Sequence, residues 1–121
     1  MKNIKSVILI VNNEIDTFIN RKVLERYDIT DIVSFNSASN ALSHLNETEV
    51  IYQLILTDIY LPLMDGFEFA DKFVQLELNK KHGELFFLSA SLNPLDKEKA
   101  KQRNIRFIEK PFKVNNLFPK I

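Results

Sequence analysis

The chain of 121 residues has no cysteine, no tryptophan and only two glycines. Without cysteine there are no disulfides and no thiolate metal sites. Two glycines are too few for a glycine-rich phosphate loop. Long apolar runs are missing as well. The longest, Val7 to Val11, has the length of a strand and falls far short of a bilayer span. Neither sign of charge dominates, with 16 Lys and Arg against 16 Asp and Glu and a pI near 6.7. No basic stripe stands out, so nucleic-acid binding has no support. Lys97, Lys99, Lys101 and Arg103 read as one solvated helix face. The two histidines, His44 and His82, show no metal spacing, and surface roles are expected for both. No secretory signal and no membrane segment are seen, so the expected compartment is the cytoplasm.

What is present is material for a core. Apolar residues make up 45% of the chain and ten of them are Phe. A chain this long reads as one domain over 1–121. Such a domain buries roughly two-thirds of the surface its unfolded chain exposes.

The apolar pattern alternates between two periods. Val7-Ile8-Leu9-Ile10-Val11 has no polar residue and reads as a buried strand. Ile15, Phe18, Ile19 and Val23 then fall on one helical face, the expected buried face of a first helix ending near Tyr27. Ile32-Val33-Ser34-Phe35 is a short strand, and Ala38, Ala41, Leu42 and Leu45 mark a second helix. Gln53 to Thr57 is the third strand. Gly66 is read as a tight-turn residue before a third helix carrying Phe69, Ala70, Phe73, Val74 and Leu76, closed by Gly83. Leu85 to Leu88 is the fourth strand. Asn93 as N-cap and Pro94 at the first position start a fourth helix running to about Gln102. Arg106-Phe107-Ile108 is the fifth strand. Val114 to Ile121 has room for about two turns, interrupted by Pro119. Strands alternating with helices predict an α/β fold with a parallel sheet and helices on both faces. Five strands in this rhythm fit the doubly wound flavodoxin-like (βα)5 order 2-1-3-4-5, with a shortened fifth helix.

Three polar groups end three successive strands. Asp58 follows Leu54-Ile55-Leu56-Thr57, Ser89 follows Leu88, and Lys110 follows Ile108-Glu109. In an open parallel sheet those ends share the ligand-binding edge. Taken singly, each residue is commoner in a bland role: Asp58 as a turn residue, Ser89 as a strand-end hydroxyl, Lys110 as a solvated lysine. Asp65-Gly66 alone is only a turn signal. Their conjunction at equivalent strand ends is what reverses those odds.

With Leu61-Pro62-Leu63-Met64-Asp65-Gly66 after Asp58, Leu88-Ser89-Ala90, and Lys110-Pro111-Phe112, the chain resembles a response-regulator receiver domain of two-component signalling along essentially its whole length. Glu14-Ile15-Asp16-Thr17-Phe18-Ile19-Asn20 with Ser91-Leu92-Asn93-Pro94 is similar to short stand-alone receivers common in Bacteroidetes. The resemblance implies that Asp58 accepts a phosphoryl group from a histidine kinase or phosphotransfer protein. It implies that Lys110 contacts an acyl phosphate oxygen and that Ser89 bonds another and moves on phosphorylation. Phe107 takes the place of an aromatic rotamer switch, with a core role equally expected. The resemblance further implies that Tyr60 offers its backbone carbonyl to Mg²⁺, that Tyr60 and Ser91 tune dephosphorylation, and that Pro111 is in a cis peptide.

One feature departs from the family. Receivers end their first strand in two acidic residues that hold Mg²⁺; this strand ends Val11-Asn12-Asn13-Glu14. Either Asn12 and Asn13 or Val11 and Asn12 replace the pair, and both carboxylates are lost either way. Asn supplies a neutral oxygen, so Asn12 and Asn13 are weak ligands beside Asp58 and the Tyr60 carbonyl. One opposite charge near 4 Å is worth about 4 kcal/mol at an effective dielectric near 20, before desolvation. Mg²⁺ affinity is therefore expected to fall. Glu14 is expected in solvent at the helix start.

Two functions compete. The first is a phosphorylatable receiver, not an enzyme on a separate substrate, whose output docks a downstream protein through the face of the fourth helix, fifth strand and fifth helix. The second is a phosphorylation-independent pseudo-receiver that acts as a docking module. Asp58, Ser89 and Lys110 favour the first, and the asparagines favour the second. A flavodoxin-like cofactor binder or small hydrolase fits poorly. Asp58-Ile59-Tyr60 lacks the second acid that a haloacid-dehalogenase-type phosphatase needs.

Overall fold

The computed structural model describes residues 4–89 and 93–110. Its strands are β1 (Ser6–Ile10), β2 (Asp31–Phe35), β3 (Leu54–Asp58), β4 (Glu84–Ser89) and β5 (Arg106–Glu109). Its helices are α1 (Glu14–Glu25), α2 (Ala38–Glu47), α3 (Gly66–Gln75) and α4 (Pro94–Gln102), with a 3-10 turn at Leu78–Lys80. The strands form one sheet in the order β2-β1-β3-β4-β5, every neighbour parallel. This is the order expected from the alternation of periods. The expected fifth helix, Pro111 and Ser91 lie outside the described residues.

Strand alternation divides the core in two. Ile8, Ile10, Ile55 and Phe87 face α2 and α3, against Ala41, Leu45, Phe69 and Phe73. Val7, Leu9, Leu54, Leu56, Phe86, Leu88 and Ile108 pack on the other face, where α1 contributes Leu24. Both faces of β1 and β3 are covered, so those strands carry almost no polar residue.

The helix ends follow their caps. Asn13 caps α1, and Asp65 and Glu68 close a capping box on α3. Asn93 caps α4 with Pro94 at its first position, as expected. Gly66 has no positive φ. It is the first residue of α3, and a Cβ there would lie 2.5 Å from the Asp58 carbonyl oxygen. Its role is close approach of the helix to the end of β3, not the turn conformation expected of it.

Helix α1 is rotated away from the face expected to be buried. Ile15 is 70% exposed, Phe18 60% and Ile19 42%. The inward stripe is Asp16, Asn20 and Leu24, at spacing i, i+4, i+8. Asn20 and Leu24 are buried, and Asp16 reaches Lys110. On the flank, Arg21 donates to the Ile32 carbonyl at 3.0 Å and to Ser34. Polar contacts to β2 and to the end of β5 set the helix rotation against its apolar pattern. Val74 in α3 and Leu76 just after it are likewise exposed, while Phe67, Phe69, Ala70 and Phe73 fill the core.

His82 is buried, not a surface residue as expected. Its Nδ1 accepts the Tyr52 N–H at 3.1 Å and its Nε2 lies 2.9 Å from the Leu45 carbonyl. An accepting Nδ1 requires the neutral ring with its proton on Nε2.

Candidate functional site

Asp58 is the last residue of β3 and is 8% exposed. Burial of this carboxylate follows from its position between β1 and β4, in the middle of the sheet. Its Oδ1 lies 2.5 Å from the Lys110 Nζ, which comes from the residue after β5. The Asn12 backbone N–H also donates to the carboxylate. Burial raises the Asp58 carboxyl above the ordinary carboxylate range; the Lys110 ammonium and the Asn12 N–H oppose it without cancelling it. At Lys110 burial pulls downward, but the carboxylates of Asp58 and Asp16 outweigh it and hold the ammonium above the usual lysine value.

Ser89 ends β4, buried, one register position beyond Leu88, which pairs with Asp58. The Lys110 N–H donates to the Ser89 carbonyl at 3.0 Å, which extends the β4–β5 ladder by one step. Asp58, Ser89 and Lys110 thus sit together at the carboxyl edge of β3, β4 and β5. Phe107 lies on β5 with its ring half-buried, 5.9 Å from that of Phe87.

Tyr60 leaves the loop after β3 with its side chain 65% exposed. Its hydroxyl donates to Asp96 in α4, and Asn93 bonds the same carboxylate at 3.2 Å. The loop continues through Leu63, a non-glycine residue at φ 69 whose side chain lies in solvent. The Met64 N–H bonds back to the Pro62 carbonyl at 2.8 Å, a γ-turn centred on Leu63.

The end of β1 separates the two asparagines. Val11 is buried and its N–H bonds to the Phe35 carbonyl. Asn12 stands beside Asp58. The Asn13 Oδ1 accepts from the Ile15 N–H at 2.8 Å and the Asp16 N–H at 3.0 Å, so it is committed to capping α1. Asn13 is therefore corrected from weak ligand to helix cap. Glu14 is exposed, as expected.

Mg²⁺ takes near-octahedral oxygen ligands and usually one or two carboxylates. The donors here are one carboxylate already paired with an ammonium, one asparagine and backbone carbonyls. Among the described residues no group of three or more His, Cys, Asp or Glu could hold a metal ion. This set does not fit a resident Mg²⁺.

Sequence reasoning missed Asp16 as a member of the site. Its Oδ2 lies 3.0 Å from the Lys110 Nζ, across 94 residues of sequence. An open groove of about 620 Å³ borders the site on the β2 side, lined by Asn12, Glu14, Phe18, Arg21, Phe35 and Asn36. It does not include Asp58, and its guanidinium is spent on β2, so the chemistry belongs to the edge and not to the groove. No described helix is long and apolar enough to cross a membrane.

Comparisons with known proteins agree with this geometry. The family model described as response regulator receiver domain matches residues 7–121. No curated protein sequence matches the chain. Among solved structures, the chemotaxis response regulator CheY4 of Vibrio cholerae is similar at a TM-score of 0.79 and 18% identity, over 97% of this chain and 95% of that one. The receiver domain of the histidine kinase CKI1 from Arabidopsis thaliana matches at 0.82 and 17%, over 95% and 85%. A Saccharomyces cerevisiae co-crystal of the histidine phosphotransfer protein Ypd1 with the receiver domain of Ssk1 matches at 0.77 and 24%, over 100% of this chain and 89% of that one.

Proposed function

The chain belongs to the response regulator receiver domain family, and from that premise we propose that Asp58 is its phosphoacceptor in two-component signalling. One observation carries the reading: a buried carboxylate at the end of β3 in contact with the Lys110 ammonium, with Ser89 one register step away. A carboxylate is a weak nucleophile, so catalysis here is positioning and charge neutralisation. An Asp58 oxygen forms a bond to phosphorus while the phosphorus–nitrogen bond of a donor phosphohistidine breaks. The product is an acyl phosphate carrying up to about two negative charges. Lys110 supplies the positive charge that meets it, and the Ser89 hydroxyl supplies a neutral donor.

The donor is a histidine kinase or a phosphotransfer protein, the kind of partner that Ypd1 is for the Ssk1 receiver. The chain works on no separate substrate pool; it promotes only its own phosphorylation and hydrolysis. Affinity for Mg²⁺ is weakened, because the acids at the end of β1 are absent. Output passes to a downstream protein through the face of α4 and β5 and the residues beyond, in the cytoplasm.

A second reading is a pseudo-receiver that docks a partner in one fixed state. It is favoured by the Asn12-Asn13 strand end and by the Asp58 carboxylate being already occupied by Lys110. Incubation with phosphoramidate or beryllofluoride, with and without Mg²⁺, separates the two when intact mass and the Phe107 environment are followed. An adduct lost in Asp58→Asn supports the phosphoacceptor. No adduct at millimolar Mg²⁺ leaves the docking module.

A further inference from the structure

Asp16 is the third residue of α1, and an acid there is favoured by the helix dipole alone. That preference asks only for solvent exposure near the helix end. The structure does more with it. The Asp16 side chain is 39% exposed, and its Oδ2 lies 3.0 Å from the Lys110 Nζ. The Lys110 side chain is 16% exposed, and the same Nζ meets Asp58 Oδ1 at 2.5 Å. A single ammonium is thus divided between a carboxylate from α1 and one from β3. The rotation of α1 that leaves Ile15 and Phe18 in solvent is the rotation that brings Asp16 inward.

We propose that Asp16 is a positioning residue of this pocket, the second anion that holds Lys110, and that it competes with a phosphoryl group on Asp58 for that ammonium. The proposal rests on the reading of Asp58 as phosphoacceptor. It gives the negative charge missing from the end of β1 a new origin, on α1, in a form that anchors the lysine without assembling a metal site.

The competition follows from charge. Before phosphorylation the three groups carry one positive and two negative charges. Converting Asp58 to an acyl phosphate adds up to about one more negative charge beside Lys110. The ammonium, with three donors, is drawn toward the phosphoryl oxygens. Asp16 opposes this twice, by retaining a share of the lysine and by repelling the new anion. Both effects shorten the life of the phosphorylated state, so removing the Asp16 charge lengthens it.

Two measurements test this. The first needs no phosphorylation: exchange of the Lys110 ammonium hydrogens with water, followed by nitrogen-15 NMR in the cold at fixed pH. Asp16→Asn is expected to speed that exchange about fivefold, the size of one partly exposed ion pair, and Asp16→Glu to retain slow exchange. Unchanged exchange in Asp16→Asn overturns the anchoring role. The second is the lifetime of the acyl phosphate after a small phosphodonor is removed. Asp16→Asn is expected to lengthen it about threefold, and the gain is expected to shrink in a Lys110→Met background, where no ammonium is left to divide. An unchanged or shorter lifetime, or an undiminished gain without the lysine, overturns the competition. A wild-type chain that forms no adduct removes the phosphoacceptor reading and the competition with it, and the exchange measurement then decides the anchoring role by itself.

Discussion

The Tyr60 hydroxyl, two residues beyond Asp58, donates a hydrogen bond to the Asp96 carboxylate on α4, 36 residues further along the chain. Asp96 is 4% exposed, and the same Oδ2 also accepts from the Asn93 side-chain amide, whereas the Tyr60 side chain is largely in solvent. The loop that follows Asp58 is therefore tied directly to the first turn of α4. Asp96 accepting its proton also holds the Tyr60 phenol above its ordinary pKa, the Asn93 amide opposing.

Tyr60→Phe removes that tie and leaves a buried carboxylate short of one donor. A loss of about 1 kcal/mol is expected, reduced from the usual value for a charged acceptor because the ring is solvated. Thermal unfolding measures it, and amide exchange locates it: protection is expected to fall in the first turn of α4 and to hold in β1. Uniform change across the chain would deny the local tie.

Asp58 is held above the ordinary carboxylate range by burial. A folded-state value above the unfolded one means that the native chain binds more protons, so this residue's contribution to stability declines as pH rises through that window. Asp58→Asn is expected to stabilise the chain at pH 7 by on the order of 1 kcal/mol, a stability cost of the kind functional residues carry. Lys110 keeps Asp16 as its partner. The gain is expected to vanish near pH 3, where the native carboxyl is neutral. Urea titrations at both pH values decide this, and a gain that persists at low pH would contradict the burial argument.

His82 behaves oppositely. Burial lowers its pKa, the bond to Leu45 only partly offsetting this. The unfolded chain then binds the extra proton, so stability is full above about pH 6.5, the ordinary histidine value, and falls as pH drops below it. The limit is about 1.4 kcal/mol per pH unit. Protonation also turns the Nδ1 that accepts the Tyr52 N–H into a donor. Denaturation midpoints at pH 7.5 and 5.5 are expected to differ in the wild type more than in His82→Gln.

Gly66→Ala tests close approach against helix propensity. Alanine gains up to about 1 kcal/mol in a helix. Its Cβ would lie 2.5 Å from the Asp58 carbonyl oxygen and 2.9 Å from the Ile59 Cα, both backbone atoms. Relieving that overlap costs roughly 1–3 kcal/mol and moves the end of β3. A net loss of stability is expected, together with shifted Asp58 and Lys110 resonances. A more stable variant would show that α3 can retreat without strain.

Much of the architecture was legible in the order of residues. The runs Val7–Val11 and Leu54–Thr57 are apolar because both sheet faces are covered, and that needs no knowledge of what covers them. Asn93-Pro94 announces α4 by local chemistry alone. Asp58, Ser89 and Lys110 could be placed on one edge because parallel strands put all their carboxyl ends on the same side. Each of these rests on a rule that acts over a few residues or on the polarity of the sheet.

The failures share a different cause. Ile15, Phe18, Ile19 and Val23 have the spacing of a buried face, yet only Val23 of the four packs against the core, half-buried, and α1 presents Asn20 and Leu24 as its buried residues. Spacing states which residues share a stripe; it does not state which stripe turns inward when polar contacts compete for the choice. Arg21 on β2 and Asp16 on Lys110 make that choice, and neither partner is near in sequence. Asn13 could have been a ligand or a cap until the Ile15 and Asp16 amides were seen to occupy it. The Tyr60–Asp96 tie and the burial of His82 are of the same kind. Local periodicity and strand polarity settle the fold and the edge that carries Asp58. Helix rotation, and with it the second anion on Lys110, follows only once distant segments are packed, because it depends on pairwise contacts between side chains that the chain order leaves far apart.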